Sequence, residues 1–195
     1  MVRRFRGHSR RDRQAGFTLV EIAIVMVIIG LLIGGILKGQ ELIKNAKIKR
    51  LMKQVDELRV AVTSYQDRYG FLPGDDSAAN TRPNGAGLTN GNGNGQISTA
   101  EAPDMFMHLA ASGLISGTYT TAPASYPRNP FGGAYHVQWA TISGKQTHWF
   151  YTTMIPGEIG TIIDTSHDDG VNTTGSIRAS AAYTTGNNVT MYIEF

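Results

Sequence analysis

The sequence predicts an α+β protein. One long N-terminal helix, membrane-spanning in its first half and amphipathic in its second, packs on a small antiparallel β-sheet domain with long loops. Three observations predict this. From Ile22 to Leu37 no residue carries a charge or a strong hydrogen-bonding side chain. Apolar residues then recur at steps of three and four, at Ile48, Leu51, Val55, Leu58, Val62, Tyr65 and Tyr69, which is one face of a helix. After residue 134, short runs of aromatic and β-branched residues are separated by Gly, Pro and Asn, the pattern of strands and turns. At 195 residues there is room for one globular domain after the helix.

The first half of the helix runs over residues 17–37. At 1.5 Å per residue it spans roughly 30 Å, one bilayer core. In lipid the backbone must satisfy its own N–H and C=O groups, so the segment is helical. Arg3, Arg4, Arg6, Arg10, Arg11 and Arg13 precede it and are expected to keep the N-terminus in the cytoplasm and send the rest outward in a single pass. Glu21 is the anomaly, because an ionised carboxylate near the start of a membrane helix is costly unless it is paired or reaches the headgroups. Gly30 and Gly34, and again Gly35 and Gly39, stand four apart. Small residues at that spacing let membrane helices approach closely, although Gly is also common in such helices.

The string Gly16-Phe17-Thr18-Leu19-Val20-Glu21, set between a basic segment and an apolar helix, resembles the class III signal of type IV prepilins and pseudopilins. The resemblance implies that residues 1–16 are a leader, removed after Gly16 by an inner-membrane prepilin peptidase, and that the new Phe17 terminus is N-methylated. It implies further that identical or related pilin subunits polymerise through residues 17–37, guided by an inner-membrane assembly platform. Glu21 would pair with the Phe17 ammonium of a neighbour, since two charges inside a filament core are tolerated only together. The expected location is the inner membrane and its lipid first, then a periplasmic or extracellular filament. The chain departs from the family in three ways. Its leader is long, it has Lys38 and no Pro about where many pilin helices carry one, and it has no cysteines for a C-terminal disulfide loop. Gly34, Gly35 and Gly39 could supply the weak point in the helix instead, at about 1 kcal/mol each relative to Ala. Ser9-Arg10-Arg11 also reads as a twin-arginine signal, but no small-x-small cleavage site follows it.

Residues 38–69 continue the helix amphipathically, with Lys44, Lys47, Lys49, Arg50 and Lys53 as a solvated basic cluster. Gly70 and Pro73-Gly74 end it. Residues 70–195 form the exported head, and the resemblance implies a ladle-like arrangement of helix and head. Asp75–Gly95 reads as a long polar loop. Within and after it, Asn90, Asn92, Asn94, the Gln96 carbonyl and Glu101 occupy the one, three, five, seven and twelve positions of an EF-hand-like calcium loop, with Gly95 at the sharp turn. The three asparagines are neutral where aspartate is usual. The competing reading is a glycine-rich turn closed by a Ser98-x-x-Glu101 capping box. Calcium is thus the one cofactor the sequence raises.

A short helix is expected over 101–112, with Met105, Phe106, Leu109 and Ala110 inward and Gly113 as its stop. A loop follows over 117–133. Two strands, 134–142 and 146–155, are expected to form a hairpin through Ser143-Gly144-Lys145, with His136 and His148 able to meet across it. A short helix after Pro156-Gly157, an acidic turn at His167-Asp168-Asp169-Gly170, and final strands over 176–183 and 189–194 complete the head. Leu72-Pro73-Gly74-Asp75-Asp76, the Asn-Gly run and the His108-Leu109…Gly113-Leu114-Ile115 segment also resemble a group of bacterial prepilin-type proteins.

Enzyme classes find no support. There is no cysteine nucleophile, Gly-x-Ser-x-Gly, P-loop or His-Glu-x-x-His, and the histidines share no metal-ligand spacing. The formal charge of +3 owes its sign to the leader. Without residues 1–16, which hold six arginines and one aspartate, it becomes −2, so no nucleic-acid partner is expected.

Overall fold

A computed structural model describes residues 16–195; the expected leader, apart from Gly16, lies outside the described residues. The chain divides into two compact units, one reaching Lys44 and one covering Asn45–Phe195. Helix α1 (Leu19–Tyr69) supplies most of the first and opens the second. In the first unit every residue from Gly16 to Lys38 is exposed. This part of α1 is long and apolar enough to cross a membrane.

In the second unit the predicted face of α1 is inward. Ile48, Leu51, Val55, Leu58, Val62 and Tyr65 are buried, joined by Ala61, while Tyr69 is half-buried. Gly70 ends the helix as expected, with φ +77° and its N–H on the Gln66 carbonyl at 2.7 Å. Glycine adopts that left-handed conformation without the steric cost a Cβ imposes.

The sheet is antiparallel, in the order β1-β2-β4-β3, with β1 Tyr135–Ile142, β2 Lys145–Pro156, β3 Ile177–Ala179 and β4 Asn188–Glu194. Tyr135, Val137, Phe150, Met191, Ile193 and Ile177 share one core with the α1 face. The Tyr135 hydroxyl donates to Gln54 Oε1 of α1 at 3.1 Å, so the ring is buried without orphaning its polar end. Helices α2 (Ala102–Ala111) and α3 (Gly157–His167) complete the core through Met105, Phe106 and Leu109, and through Ile159 and Ile163.

Three expectations are corrected. Lys145 is not a loop residue: it pairs with Ile142, leaving the two-residue turn Ser143-Gly144, both at positive φ (48° and 85°), as a type I′ turn requires. His136 and His148 do not face each other, because the register sets His136 opposite Tyr151 and His148 opposite Trp139. The expected 176–183 strand is only three residues long. After Ala179 the chain leaves the ladder, and Tyr183 turns to α3, where its hydroxyl donates to Asp164 Oδ2 at 2.6 Å. That bond and the ring's place against Gly160 take precedence over further strand pairing.

Candidate functional site

The helix start is built by a reciprocal cap. Thr18 precedes the first turn of α1, and its Oγ1 accepts the Glu21 N–H at 3.2 Å. Glu21 Oε2 in return accepts the Thr18 backbone N–H at 2.7 Å and its hydroxyl at 2.9 Å. Two N–H donors that no helix turn can satisfy are thereby satisfied. Sequence reasoning treated Glu21 only as a charge. The signal for the second role was present, since Thr18-x-x-Glu21 is itself the capping-box pattern. Phe17, at 84 % exposure, stands free just before the cap. Beyond the helix's own backbone, a Cβ added at Gly30, Gly34, Gly35 or Gly39 would meet no atom of the described residues within 4 Å, so no tertiary contact among them requires glycine at these places.

The 75–101 region is ordered by carboxylates rather than loose. Asp75, buried, accepts three consecutive N–H groups: Gly93 at 2.8 Å, Asn94 at 3.2 Å and Gly95 at 2.7 Å. Asn90 Oδ1 accepts the Asn80 N–H, Asn92 Oδ1 the Asn94 N–H and Asn94 Oδ1 the Gln96 N–H, at 2.8–3.0 Å. Glu101 spreads its two oxygens over the N–H groups of Asn92 and Ser98, both at 3.0 Å. Burial pushes the Glu101 carboxyl up, but the Ser98 and Asn92 hydrogen bonds outweigh it and hold it below the ordinary glutamate range. Every side-chain oxygen of the calcium-like pattern therefore already takes a backbone N–H. The φ of +80° at Gly95 fits the sharp turn common to both readings.

Neighbouring groups lock this region to the helices. Asp76, fully buried, grips Arg82 through both oxygens (2.9 and 3.1 Å) and also accepts the Tyr65 hydroxyl at 2.9 Å. Burial would raise the Asp76 carboxyl. The Arg82 guanidinium, the Ala78 N–H and the Tyr65 hydroxyl more than offset this and leave it low. Asp104 on α2 goes the other way: burial holds its carboxyl high, and its Oδ1 is buried with no hydrogen-bond partner among the described residues. Asp164, Asp168 and Asp169 bring oxygens within 4.8 Å of one another. Each serves a local donor, however: Gly170 N–H and Tyr183 on Asp164, Ile177 N–H on Asp168, and Val171 N–H and Thr174 on Asp169. They close the turn after α3.

The stretch 11–37 matches the family model described as the prokaryotic N-terminal methylation motif. The chain carries the class III signal of type IV pilins and pseudopilins. The methylation motif spans the Thr18–Glu21 cap and the exposed apolar run of α1 as far as Leu37. It supports a type IV pilin-like or pseudopilin subunit, assembled with related subunits and anchored in a membrane by its first helix. The α+β layout of α1 on a four-stranded antiparallel sheet fits a pilin-like fold. No curated protein and no solved structure matches the chain.

Proposed function

We propose that the chain is a prepilin whose mature form is a structural, non-enzymatic subunit of a type IV pilus-like filament. Prepilin peptidase cleaves after Gly16, Phe17 is methylated, and subunits leave the inner membrane through an assembly platform to pack helix on helix. The observation that supports this is the methylation motif covering the apolar first part of α1, whose residues up to Lys38 are all exposed among the described residues. Such a surface is stable only in lipid or against other apolar helices. The membrane holds it before assembly and neighbouring subunits hold it afterwards, with Gly30 and Gly34 allowing close approach. The basic residues before the helix keep the N-terminus cytoplasmic. Glu21, oriented by Thr18, accepts the Phe17 ammonium of the next subunit.

Fibres sheared from the native cell, imaged by electron microscopy and analysed by mass spectrometry, test the role. The chain as the dominant fibre protein is the expected result. Fibres that lack it, or hold only traces, would overturn the major-subunit role in favour of a type II secretion pseudopilin or a minor tip subunit acting in binding.

A further inference from the structure

Two buried histidines hold opposite ends of the 74–97 loop, each by a hydrogen bond that a charged imidazole cannot make. His108 on α2, 1 % exposed, accepts the Gly74 N–H at Nδ1 (2.9 Å) and meets the Thr89 carbonyl at Nε2 (2.9 Å). A carbonyl only accepts, so the ring proton is on Nε2 and Nδ1 is bare. His148 on β2, 8 % exposed, accepts the Ile97 N–H at Nε2 (3.0 Å), which places its proton on Nδ1. Ile97 is itself buried and its carbonyl accepts the Trp139 N–H at 2.7 Å.

The remaining ties of the loop divide into three kinds, the smallest being single bonds to its other neighbours: Asn84 Nδ2 to the Ala111 carbonyl of α2 (3.3 Å), the Asn92 N–H to Glu101 (3.0 Å) and the Trp139 backbone N–H to the Ile97 carbonyl. Asp75 with Gly93, Asn94 and Gly95, and the Asp76 carbonyl with the Gly91 N–H, bind the loop to itself. The Tyr65 hydroxyl, which donates to Asp76, and the Arg82 guanidinium, which donates to the Tyr69 carbonyl, fasten it to the end of α1, while Arg82 on Asp76 is a further bond of the loop to itself. The loop thus has a hinge at α1 and, among its few bonds to α2 and the sheet, a histidine latch on each. We propose that the 74–97 loop is an acid-released strap, which swings from α2 and β2 when His108 and His148 take up protons. Each imidazolium would then set an N–H donor against the backbone N–H it formerly accepted.

The surroundings decide the direction. His108 faces the Tyr65 ring from α1, Asp76 from the loop and Asp104 from its own helix. His148 faces the rings of Trp139 on β1 and Phe195 at the chain end, with Asp75 from the loop. Burial pushes both imidazoles below their ordinary range, and the carboxylates oppose this without overcoming it. A histidine with a lowered folded value favours the latched state above the ordinary value and loses that contribution as pH falls through the folded value. The strap is therefore closed at neutral pH and opens on acidification.

Amide hydrogen exchange of the full chain in detergent micelles at pH 7.5 and 5.0, corrected for intrinsic rates, tests this. Protection of 74–97 should fall by about tenfold or more at pH 5.0 while residues 188–194 keep theirs. The double variant His108→Asn, His148→Gln offers fixed acceptors in place of Nδ1 and Nε2, and should keep the protection and lose the drop. Equal protection of the wild-type loop at both pH values would overturn the proposal, as would an undiminished drop in the double variant. If that variant does not fold, the ring nitrogen resonances of the wild type decide. The expected result at pH 7.5 is a neutral His108 with its proton on Nε2 and a neutral His148 with its proton on Nδ1, whereas a charged ring or the opposite tautomer overturns the strap.

Discussion

A carboxylate at the third position of a helix can cap that helix and still present its charge to a neighbour. Glu21 is placed for both, and two substitutions separate the roles. Glu21→Gln keeps the reciprocal cap, because glutamine fits the same box, but removes the charge. Thr18→Ala keeps the charge and removes the cap, at a cost of about 1 kcal/mol of local helix stability. If the charge pairs with Phe17 of the next subunit, Glu21→Gln should be processed normally yet give far fewer fibres, while Thr18→Ala should assemble. Normal fibre yield from Glu21→Gln, measured by sheared-fibre quantification, would assign Glu21 to capping alone. Asp76 is the second residue with a sharp consequence. Asp76→Asn breaks its bidentate bond and strands a largely covered guanidinium, which should cost about 2–3 kcal/mol, less than a fully buried pair because Arg82 is 25 % exposed. Its carboxyl is low in the folded chain, so its contribution is complete above the ordinary aspartate value and is lost as pH falls through the folded value. Urea denaturation at pH 7 and pH 3 should show that the variant loses both the stability and this part of its pH dependence.

At the scale of elements, the 90–101 loop poses the clearest choice between two chemistries. Its side-chain oxygens serve backbone donors, which favours the capping-box reading over the calcium one. Calorimetric titration should then give no saturable heat up to millimolar calcium. A saturable heat lost in Glu101→Gln would instead make Asn90, Asn92, Asn94, Gln96 and Glu101 the ligand set. This loop also marks where the sequence stopped being legible. The α1 and α2 faces follow from a period of 3.6 and the β1–β2 hairpin from aromatic and β-branched runs around Ser143-Gly144, all of them local signals, and apart from Lys145 they stand close to where the pattern puts them. Asp75 as anchor of Gly93–Gly95 is a contact across about twenty residues that no local pattern encodes. The same holds for His108 on Gly74 and His148 on Ile97, where residues without metal-ligand spacing act as acceptors for backbone N–H groups. The shortened β3 was misread for a related reason, since alternation continues through Tyr183 but a tertiary bond to Asp164 outcompetes the ladder. Near the signal the limit was different: the capping box was written in four consecutive residues and was overlooked because the charge of Glu21 claimed the interpretation.

For the whole molecule, one apolar helix surface and one signal determine its fate. The second unit has its own core of α1 face, sheet, α2 and α3, whereas the first has no apolar burial among the described residues before Lys38. A chain built this way is incomplete until lipid or other subunits cover residues 17–37. The proposed removal of residues 1–16 would also turn the formal charge from +3 to −2, taking away the basic residues that favour a cytoplasmic N-terminus. On the proposed function, processing is the step that would convert an oriented membrane protein into an assembly-ready subunit. The most direct test is the intact mass of the protein recovered from native membranes and fibres. It should correspond to residues 17–195 plus one methyl group on Phe17, and Gly16→Ala should leave the leader attached. A mature species that retains residues 1–16 in cells with active prepilin peptidase, or one that begins elsewhere than Phe17, would contradict the prepilin assignment.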